Sequence, residues 1–157
     1  MEYKIVDVNQ EHIFQIEELE RQCFSCPWTA QQLMGQIKNS QHEFIAATAG
    51  EKVLGYVGMM YILDEGYISN VAVSPEYRQL GLGDALIEHL MIIAERLKLS
   101  FVTLEVRESN SAAKGLYSKH GFTVVGRRKN YYDFPKEDAI LMTKFLNRGI
   151  ELENTCI

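Results

Sequence analysis

Two glycines, Gly81 and Gly83, lie at the start of a predicted helix, directly after an apolar segment that predicts a strand. The strand segment reads "YISNVAVSP", and the turn with the helix start reads "YRQLGLGDAL". Glycine lets backbone N–H groups approach a ligand closely, and a helix N-terminus attracts negative charge. Arg78 adds a cation to the same turn. The spacing therefore favours a cradle for a phosphate or pyrophosphate group over a simple tight turn, which is the common use of such a glycine pair.

Two better-known phosphate motifs do not fit this turn. A dinucleotide-binding fingerprint needs a third glycine or an alanine three residues after Gly83, and Leu86 stands there. A P-loop needs Gly-Lys-Ser or Gly-Lys-Thr after four intervening residues, and the sequence has no such run. A phosphate cradle of another kind and a simple tight turn remain.

Two residues of the second half of the chain, Glu105 and Tyr117, have side chains of types that can transfer protons. Glu105 lies in "FVTLEVR", where alternation places it on one strand face together with Thr103 and Arg107. That pattern alone favours a salt bridge to Arg107 or another cation. Tyr117 lies on the apolar stripe of a predicted helix, which is typical of a core tyrosine with a satisfied hydroxyl.

The three cysteines do not form a recognisable disulfide or metal framework. Cys23 and Cys26 make a single C-x-x-C pair, Cys156 is far away, and the four histidines are scattered. We therefore expect reduced thiols, no metal and no acyl-enzyme on a cysteine.

Composition limits the class of protein. The chain has 157 residues, which is the length of one domain, and 46% of them are hydrophobic. A net charge of −5 argues against a protein that binds nucleic acid by neutralising phosphates. The basic run at 127–129 (Arg127, Arg128 and Lys129) favours a solvated face, with contact to ribosomal RNA or an acidic peptide left open. Neither a membrane-spanning run nor a signal peptide is evident, so we expect a cytoplasmic protein with no membrane partner, and we slightly favour a monomer.

The first half of the chain predicts a strand, two helices and three strands. "YKIVDV" alternates like a strand, and "EHIFQIEELERQCF" and "TAQQLMGQIK" have helical periodicity, the second opened by Thr29 as a cap. "EFIAATA", "KVLGYVGMMYIL" and "GYISNVAV" then predict an antiparallel meander with turns at 50–51 and 64–66.

The second half predicts helix, strand, helix and two closing strands. The first helix covers 83–97, and "SFVTLEVR" follows it as a strand. The second helix begins after Asn110 as a cap and stops at Gly121. "FTVVGRRKNYY" and "DAILMTKFL" are joined around Pro135. The whole order, β-α-α-β-β-β-α-β-α-β-β, predicts a single α/β domain with a mixed sheet over residues 1–148 and a polar tail at 149–157.

These motifs together resemble the GNAT superfamily of N-acetyltransferases. "RQLGLG" after "NVAVSP" resembles its R/Q-x-x-G-x-G/A motif, and "LEVRESNSAAKGLYSKHGF" resembles the second half of its fold. Within the superfamily the chain looks most like the bacterial ribosomal-protein-alanine N-acetyltransferases, through "PW", "LEVR-SN", "LY---GF", "R-NYY" and "EDAI-M". The resemblance implies acetyl-coenzyme A as cosubstrate. As acceptor it implies the N-terminal amine of a protein, in particular the N-terminal alanine of a small-subunit ribosomal protein.

The resemblance also implies roles for individual residues. Glu105 would be the general base, directly or through water, and Tyr117 the general acid that protonates the departing thiolate. The backbone around Val71 would pair with the pantetheine arm and stabilise the oxyanion. The implied cofactor-binding residues are Val71, Ala72, Val73, Arg78, Gln79, Leu80, Gly81, Leu82, Gly83, Asp84 and Asn110. The aromatic loops implied to flank the acceptor contain Phe24, Pro27, Trp28, Tyr131 and Tyr132.

Three other functions stay open for the same scaffold. It could acetylate a small amine such as an antibiotic or a polyamine, it could acetylate lysine side chains, or it could be a non-catalytic partner subunit that binds acetyl-coenzyme A. An α-amine has a pKa near 8 and lysine one near 10.4, so neutralising lysine costs about 3.3 kcal/mol more at the same pH. A site with one glutamate therefore matches an α-amine better than a lysine.

Overall fold

Seven β-strands and four α-helices make up residues 1–146, which are the residues that the computed structural model describes. The predicted tail at 149–157 lies outside them. The strands are β1 (Lys4–Asp7), β2 (His42–Ala49), β3 (Lys52–Ile62), β4 (Glu65–Val73), β5 (Phe101–Arg107), β6 (Thr123–Tyr132) and β7 (Glu137–Phe145). The helices are α1 (Ile13–Cys23), α2 (Ala30–Ile37), α3 (Leu82–Arg96) and α4 (Ser111–Lys119). The element order and the mixed α/β class that the sequence predicts are confirmed.

The strands form a single sheet in the order β1-β2-β3-β4-β5-β7-β6. Neighbouring strands are antiparallel except β4 and β5, which run parallel. The predicted meander of β2, β3 and β4 is confirmed. β7 inserts between β5 and β6, so that β6 forms one edge of the sheet.

Helices cover both faces of this sheet. We call the face packed on α1 and α2 the α1 face, and the face packed on α3 and α4 the α3 face. The α1-face core contains Ile16, Leu33, Phe44 and Tyr56. The α3-face core is larger and contains Leu86, Leu90, Val102, Leu104, Val106, Tyr117 and Phe122. Each fully buried apolar side chain of this size contributes about 1.5–3 kcal/mol to folding.

A β-bulge reverses the facing of side chains in the middle of β4. Gly58 pairs with Asn70 and Met59 pairs with Ile68, which leaves Ser69 as an extra residue. Because successive side chains alternate between faces, one extra residue changes which face the later residues occupy. Ile68 accordingly lies in the α3-face core, whereas Ala72 lies in the α1-face core. The bulge therefore turns Asn70 and Ala72 toward α1.

The parallel pairing of β4 with β5 is short. It joins 65–67 to 101–103, with Tyr67 opposite Thr103 as the last pair, and the two strands diverge beyond it. Backbone groups along this side of β4 after Tyr67 have no strand partner, which makes the side a free edge inside the sheet. An opening between the two faces follows from this divergence.

Local details agree with the predicted caps and differ at one turn. The side chains of Thr29 and Asn110 accept hydrogen bonds from the first turns of α2 and α4, as predicted. The turn between β3 and β4 lies at 63–64 rather than 64–66, so Gly66 belongs to β4. A Cβ at Gly66 would lie 2.9 Å from Leu99 Cδ1, so a close packing contact explains this glycine. Within residues 1–146, no helix is both long and apolar enough to cross a bilayer.

Candidate active site

A cleft of about 800 Å³ occupies the opening between β4 and β5. Both diverging strands, the start of α3, one side of α4 and the loop after α1 contribute to its walls. The predicted site residues that line it are Phe24, Trp28, Val71, Ala72, Val73, Arg78, Gln79, Gly81, Leu82, Gly83, Asp84, Glu105, Asn110, Tyr117 and Tyr132. Three further predicted residues, Pro27, Leu80 and Tyr131, lie outside this lining, and their binding roles stay predictions.

The N-terminus of α3 has no side-chain cap. Its N-cap residue is Gly81, in the left-handed conformation with φ +82°, and no side chain accepts a hydrogen bond from the first turn. Thr29 and Asn110 supply such caps to α2 and α4. The free N–H groups of the first turn and the helix dipole favour an anion at this wall of the cleft. This geometry fits the predicted pyrophosphate cradle.

Glycine is required at the two positions of the turn for different physical reasons. Gly81 has open space around it, but its φ is positive, and residues other than glycine adopt such a backbone conformation only at an energetic cost. Gly83 lies inside the helix, where a Cβ would stand 3.1 Å from Leu116 Cδ2. Gly81 therefore shapes the turn, and Gly83 allows α3 to pack closely against α4.

The two charged residues predicted at this turn are held by protein partners. Arg78 donates from Nε to the Val73 carbonyl over 3.1 Å, at the end of β4. The Asp84 carboxylate lies 2.9 Å from His120 Nε2 and 3.0 Å from Lys119 Nζ. The His120 hydrogen bond, followed by the Lys119 contact, lowers the pKa of Asp84. The Lys119 cation thus offsets the charge of the carboxylate beside the anion-favouring helix start.

Glu105 reaches the cleft from the α1 face of β5. Its neighbours Leu104 and Val106 lie in the α3-face core, so alternation points Glu105 the other way. Its side chain is 11% exposed, and Oε1 lies 3.3 Å from Arg128 Nε. Its Oε2 atom is buried and has no hydrogen-bond partner among residues 1–146. The sequence left a salt bridge to Arg107 or to another cation open; Arg128 is the cation found in contact.

Three tyrosines surround the Glu105 carboxylate. The interaction with the nearby Glu105 carboxylate is the main cause that raises the pKa of Tyr131. Burial, followed by the Glu105 charge, raises the pKa of Tyr132 to about 12 and also raises that of Tyr67. The Tyr131 and Tyr132 rings meet edge to face, with centroids 5.0 Å apart. All three hydroxyls stay protonated at neutral pH and can act as donors.

Tyr117 reaches the same cleft from the opposite face. It is buried in the α3-face core, and its ring centroid lies 5.9 Å from that of Phe122. Burial, with a smaller contribution from Tyr132, raises its pKa. The core-tyrosine interpretation and the cleft-lining interpretation both hold, since Tyr117 packs in the core and also lines the cleft. A protonated hydroxyl on the α3 face therefore complements a carboxylate on the α1 face.

A buried hydrogen-bond cluster around Glu20 was not predicted from the sequence. Glu20 is 1% exposed and lines the cleft. Its carboxylate accepts from the Tyr56 hydroxyl, from Asn70 Nδ2 over 2.8 Å and from the Trp28 backbone N–H over 3.1 Å. Burial outweighs these hydrogen bonds and raises the pKa of Glu20. The available signal was position, because Glu20 falls four residues after Ile16 on the apolar stripe of α1.

The remaining candidate chemistry is that of thiols and metals. Cys23 and Cys26 are free thiols, and Cys156 lies outside the described residues. Within residues 1–146, no three His, Cys, Asp or Glu side chains group closely enough to hold a metal ion.

A mixed sheet that opens between two parallel strands beside an uncapped helix start fits the acyltransferase class that the sequence motifs resemble. Comparison with known proteins agrees with this class, and the chain belongs to the Acetyltransferase (GNAT) family, whose model matches residues 13–122. It is an N-acetyltransferase by this membership and by the names of its relatives.

Two relatives illustrate the similarity in sequence and in structure. The [Ribosomal protein bS18]-alanine N-acetyltransferase of Escherichia coli K12 is 34% identical over 126 residues, which covers 79% of this chain and 84% of that protein. The crystal structure of the ribosomal-protein-S18-alanine N-acetyltransferase from Escherichia coli superimposes with a TM-score of 0.85 at 30% identity, covering 92% and 94% of the two chains. Arabidopsis thaliana NAA60, solved in complex with acetyl-CoA, shares the fold with a TM-score of 0.84 at 20% identity, covering 93% and 99%.

Proposed function

We propose that this protein transfers the acetyl group of acetyl-coenzyme A to the N-terminal alanine of ribosomal protein bS18. The observation that carries the proposal is that Glu105 and Tyr117 reach one cleft from opposite faces of the sheet. The names of the bacterial relatives supply the acceptor. A ribosomal substrate would locate the reaction in the cytoplasm.

Acetyl-coenzyme A fits the α3 side of the cleft. Its pyrophosphate would accept hydrogen bonds from the uncapped first turn of α3, next to Gly81. Its pantetheine arm carries amide groups that can pair with the free edge of β4 at 71–73, as an added strand would. Asn110 caps α4 and lines the same cleft, where its side chain would contact the cofactor.

The acceptor amine would enter from the α1 face. Arg128 holds one carboxylate oxygen of Glu105 and leaves Oε2 free to take a proton from the ammonium, directly or through a water. The neutral amine then attacks the thioester carbonyl and a C–N bond forms. The nitrogen loses its second proton to solvent, and the C–S bond breaks. Backbone N–H groups near Val71 would stabilise the oxyanion.

Tyr117 would complete the transfer on the other face. Its raised pKa keeps the hydroxyl protonated until the thiolate of coenzyme A departs. The hydroxyl proton then passes to the sulfur, and the tyrosinate recovers a proton from solvent. The two proton transfers are thus separated by the sheet, with the reacting carbon in the opening between β4 and β5.

Three acceptors distinguish this function from the alternatives. The purified protein is given acetyl-coenzyme A with a short peptide that begins like bS18 with alanine, with its N-terminally blocked form carrying one internal lysine, or with a polyamine. Release of the coenzyme A thiol is followed. We expect turnover of the free alanine peptide only. Equal use of the blocked peptide or the polyamine would contradict an N-terminal acceptor, and no turnover of any amine would favour a non-catalytic subunit.

A further inference from the structure

Two oxygen atoms in the cleft are buried acceptors that make no hydrogen bond with any of residues 1–146. They are Asn70 Oδ1 and Glu105 Oε2. Asn70 is 8% exposed, the Glu105 side chain is 11% exposed, and both residues line the cleft. A buried acceptor left unsatisfied is costly, and more so when it is charged. Two such atoms in one cleft indicate a ligand that brings donors.

The two residues occupy matching positions on the diverging strands. The last pair of β4 and β5 is Tyr67 with Thr103. Glu105 lies two positions beyond Thr103. Asn70 lies two regular positions beyond Tyr67 once the bulged Ser69 is left out of the count. Both side chains face α1, because Asn70 contacts Glu20 and Glu105 alternates with the α3-face core residues. The two acceptors therefore stand on opposite sides of the opening.

Glu20 determines which end of the Asn70 amide faces the cleft. Asn70 Nδ2 donates to Glu20 Oε1 over 2.8 Å, and this carboxylate oxygen also accepts from the Tyr56 hydroxyl. The other oxygen, Oε2, accepts from the Trp28 backbone N–H. A carboxylate only accepts, so the amide nitrogen must point to Glu20 and the oxygen must point away. This contact orients the unpartnered Oδ1.

We propose that Asn70 Oδ1 and Glu105 Oε2 together form a subsite for the primary ammonium group of the acceptor, with Glu20 as the positioning residue for Asn70. This inference rests on the proposed function. A primary ammonium has three N–H donors, enough for both oxygens. After Glu105 takes one proton, an N–H to Asn70 Oδ1 still holds the neutral amine, which directs its lone pair at the thioester. Asn70 therefore binds the nucleophile, whereas Glu105 both binds and deprotonates it.

The test compares an alanine-starting peptide with the same peptide carrying a propionyl group in place of alanine, which lacks only the amine. Binding of each is measured by calorimetry with coenzyme A present, so that no turnover occurs. The wild-type protein should prefer the amine form. In Asn70→Leu, which is close in size, this preference should fall about ten-fold or more, because hydrogen bonds to charged groups are among the strong ones.

A control variant removes a buried polar group elsewhere. Thr143 is 5% exposed, lies outside the cleft lining and shares a hydrogen bond with Thr103. Thr143→Val should keep the full preference for the amine form. An unchanged preference in Asn70→Leu would overturn the proposal. If that variant does not fold, Asn70→Ser provides the same comparison, because its shorter side chain cannot reach the Asn70 Oδ1 position.

The positioning role of Glu20 has its own signature. Glu20→Gln retains an oxygen that can accept from Asn70 Nδ2, so it should keep most of the preference for the amine. Glu20→Leu removes that acceptor and should lose the preference, raising KM for the peptide while KM for acetyl-coenzyme A stays within about two-fold. Equal behaviour of the two variants would contradict orientation by Glu20.

Failure of the proposed function would give a different result. If the wild-type protein acetylates no alanine peptide, the acceptor assignment is wrong. The subsite is then tested by measuring the binding of alaninamide and of propionamide to the protein with coenzyme A present. A preference for alaninamide that disappears in Asn70→Leu supports the subsite, and its absence in the wild-type protein overturns it.

Discussion

At the scale of single residues, the cleft contains two buried glutamates with different surroundings. Glu20 has a donor for each carboxylate oxygen and is 1% exposed. Glu105 has a cation on one oxygen and nothing on the other within the described residues. A carboxylate with a donor on each oxygen organises its neighbours, and one with a free oxygen can take a proton. The contrast supports a positioning role for Glu20 and a proton-transfer role for Glu105.

The proton-transfer roles predict the kinetics of two conservative variants. Glu105→Gln and Tyr117→Phe should each lower turnover about 100-fold or more, while acetyl-coenzyme A binds nearly as before. Steady-state rates and calorimetric titration measure the two effects. Tyr117→Phe should also cost little stability, because its ring keeps the contact with Phe122. Near-wild-type turnover in both variants would end these assignments.

Glu20 predicts a dependence of stability on pH. Burial raises its pKa above the ordinary value of 4.5, so the folded state holds this proton more tightly than the unfolded state. The stabilisation from the protonated form is complete below pH 4.5 and is lost as pH rises through the folded pKa. We therefore expect the unfolding free energy of the wild-type protein, relative to that of Glu20→Gln, to fall as pH rises from 4.5 toward neutrality. Denaturant titrations of both proteins measure this difference, and a flat difference would contradict the raised pKa.

At the scale of elements, one bulge and one glycine turn shape the cleft. Ser69 shifts the alternation of β4, and this shift brings Asn70 to the side of α1. Gly81 begins α3 in a left-handed conformation without a capping side chain. The bulge shapes the side of the cleft at which we propose that the acceptor amine binds. The Gly81 turn shapes the side that favours an anion. The bulge and the turn are both backbone features, so substitutions of exposed side chains elsewhere on β4 and α3 should leave both intact.

Two glycine-to-alanine changes, one at the turn before α3 and one inside α2, should have opposite effects on stability. Gly81→Ala should lower the unfolding free energy by about 1–2 kcal/mol, because alanine is strained at φ +82°, and should weaken coenzyme A binding. Gly35→Ala is the matched control, since Gly35 lies in α2 with open space around it. Alanine there should stabilise by about 0.5–1 kcal/mol and leave binding unchanged. Denaturant titration and calorimetry would detect both, and unchanged coenzyme A binding in Gly81→Ala would contradict the cradle.

At the scale of the whole molecule, the sheet separates two chemical environments that meet only where β4 and β5 part. The α1 face presents two carboxylates and the loop at 24–28, and the α3 face presents a helix N-terminus and a protonated tyrosine. A cationic acceptor and an anionic donor of the acetyl group can thus approach from different sides. This separation is compatible with both substrates binding at once, which the proposed direct transfer requires.

Ligand binding at this cleft predicts a change in global stability. Acetyl-coenzyme A at 100 times its dissociation constant should add about 2.7 kcal/mol to the unfolding free energy, because it binds only the folded protein. In a domain of this size, Tm rises by about 2–4 °C per kcal/mol. Thermal melts with and without ligand measure the shift. Adenosine alone, which lacks the pyrophosphate and the arm, is the control, and no shift at saturating acetyl-coenzyme A would refute the cosubstrate.

The sequence by itself determined the element order and the caps. Hydrophobic periodicity and turn residues are local signals, so the helices, the meander and the caps at Thr29 and Asn110 follow from them. The turn with Gly81 could also be predicted, because glycine spacing before an apolar helix is local. Even Glu105 and Tyr117 could be identified, but their roles came from family resemblance and stay predictions.

Only the tertiary structure decided which groups share the cleft. Glu20 and Asn70 are 50 residues apart, and the bulge at Ser69 that turns Asn70 toward Glu20 has no signature in the alternation of β4. The partner of Glu105 proved to be Arg128, two strands away, instead of Arg107 on its own strand. A residue's own pattern specifies whether it is buried, but long-range strand pairing specifies what it is buried against. The unpartnered oxygens of Asn70 and Glu105 are a property of that pairing, and for that reason the ammonium subsite could not be read from the sequence.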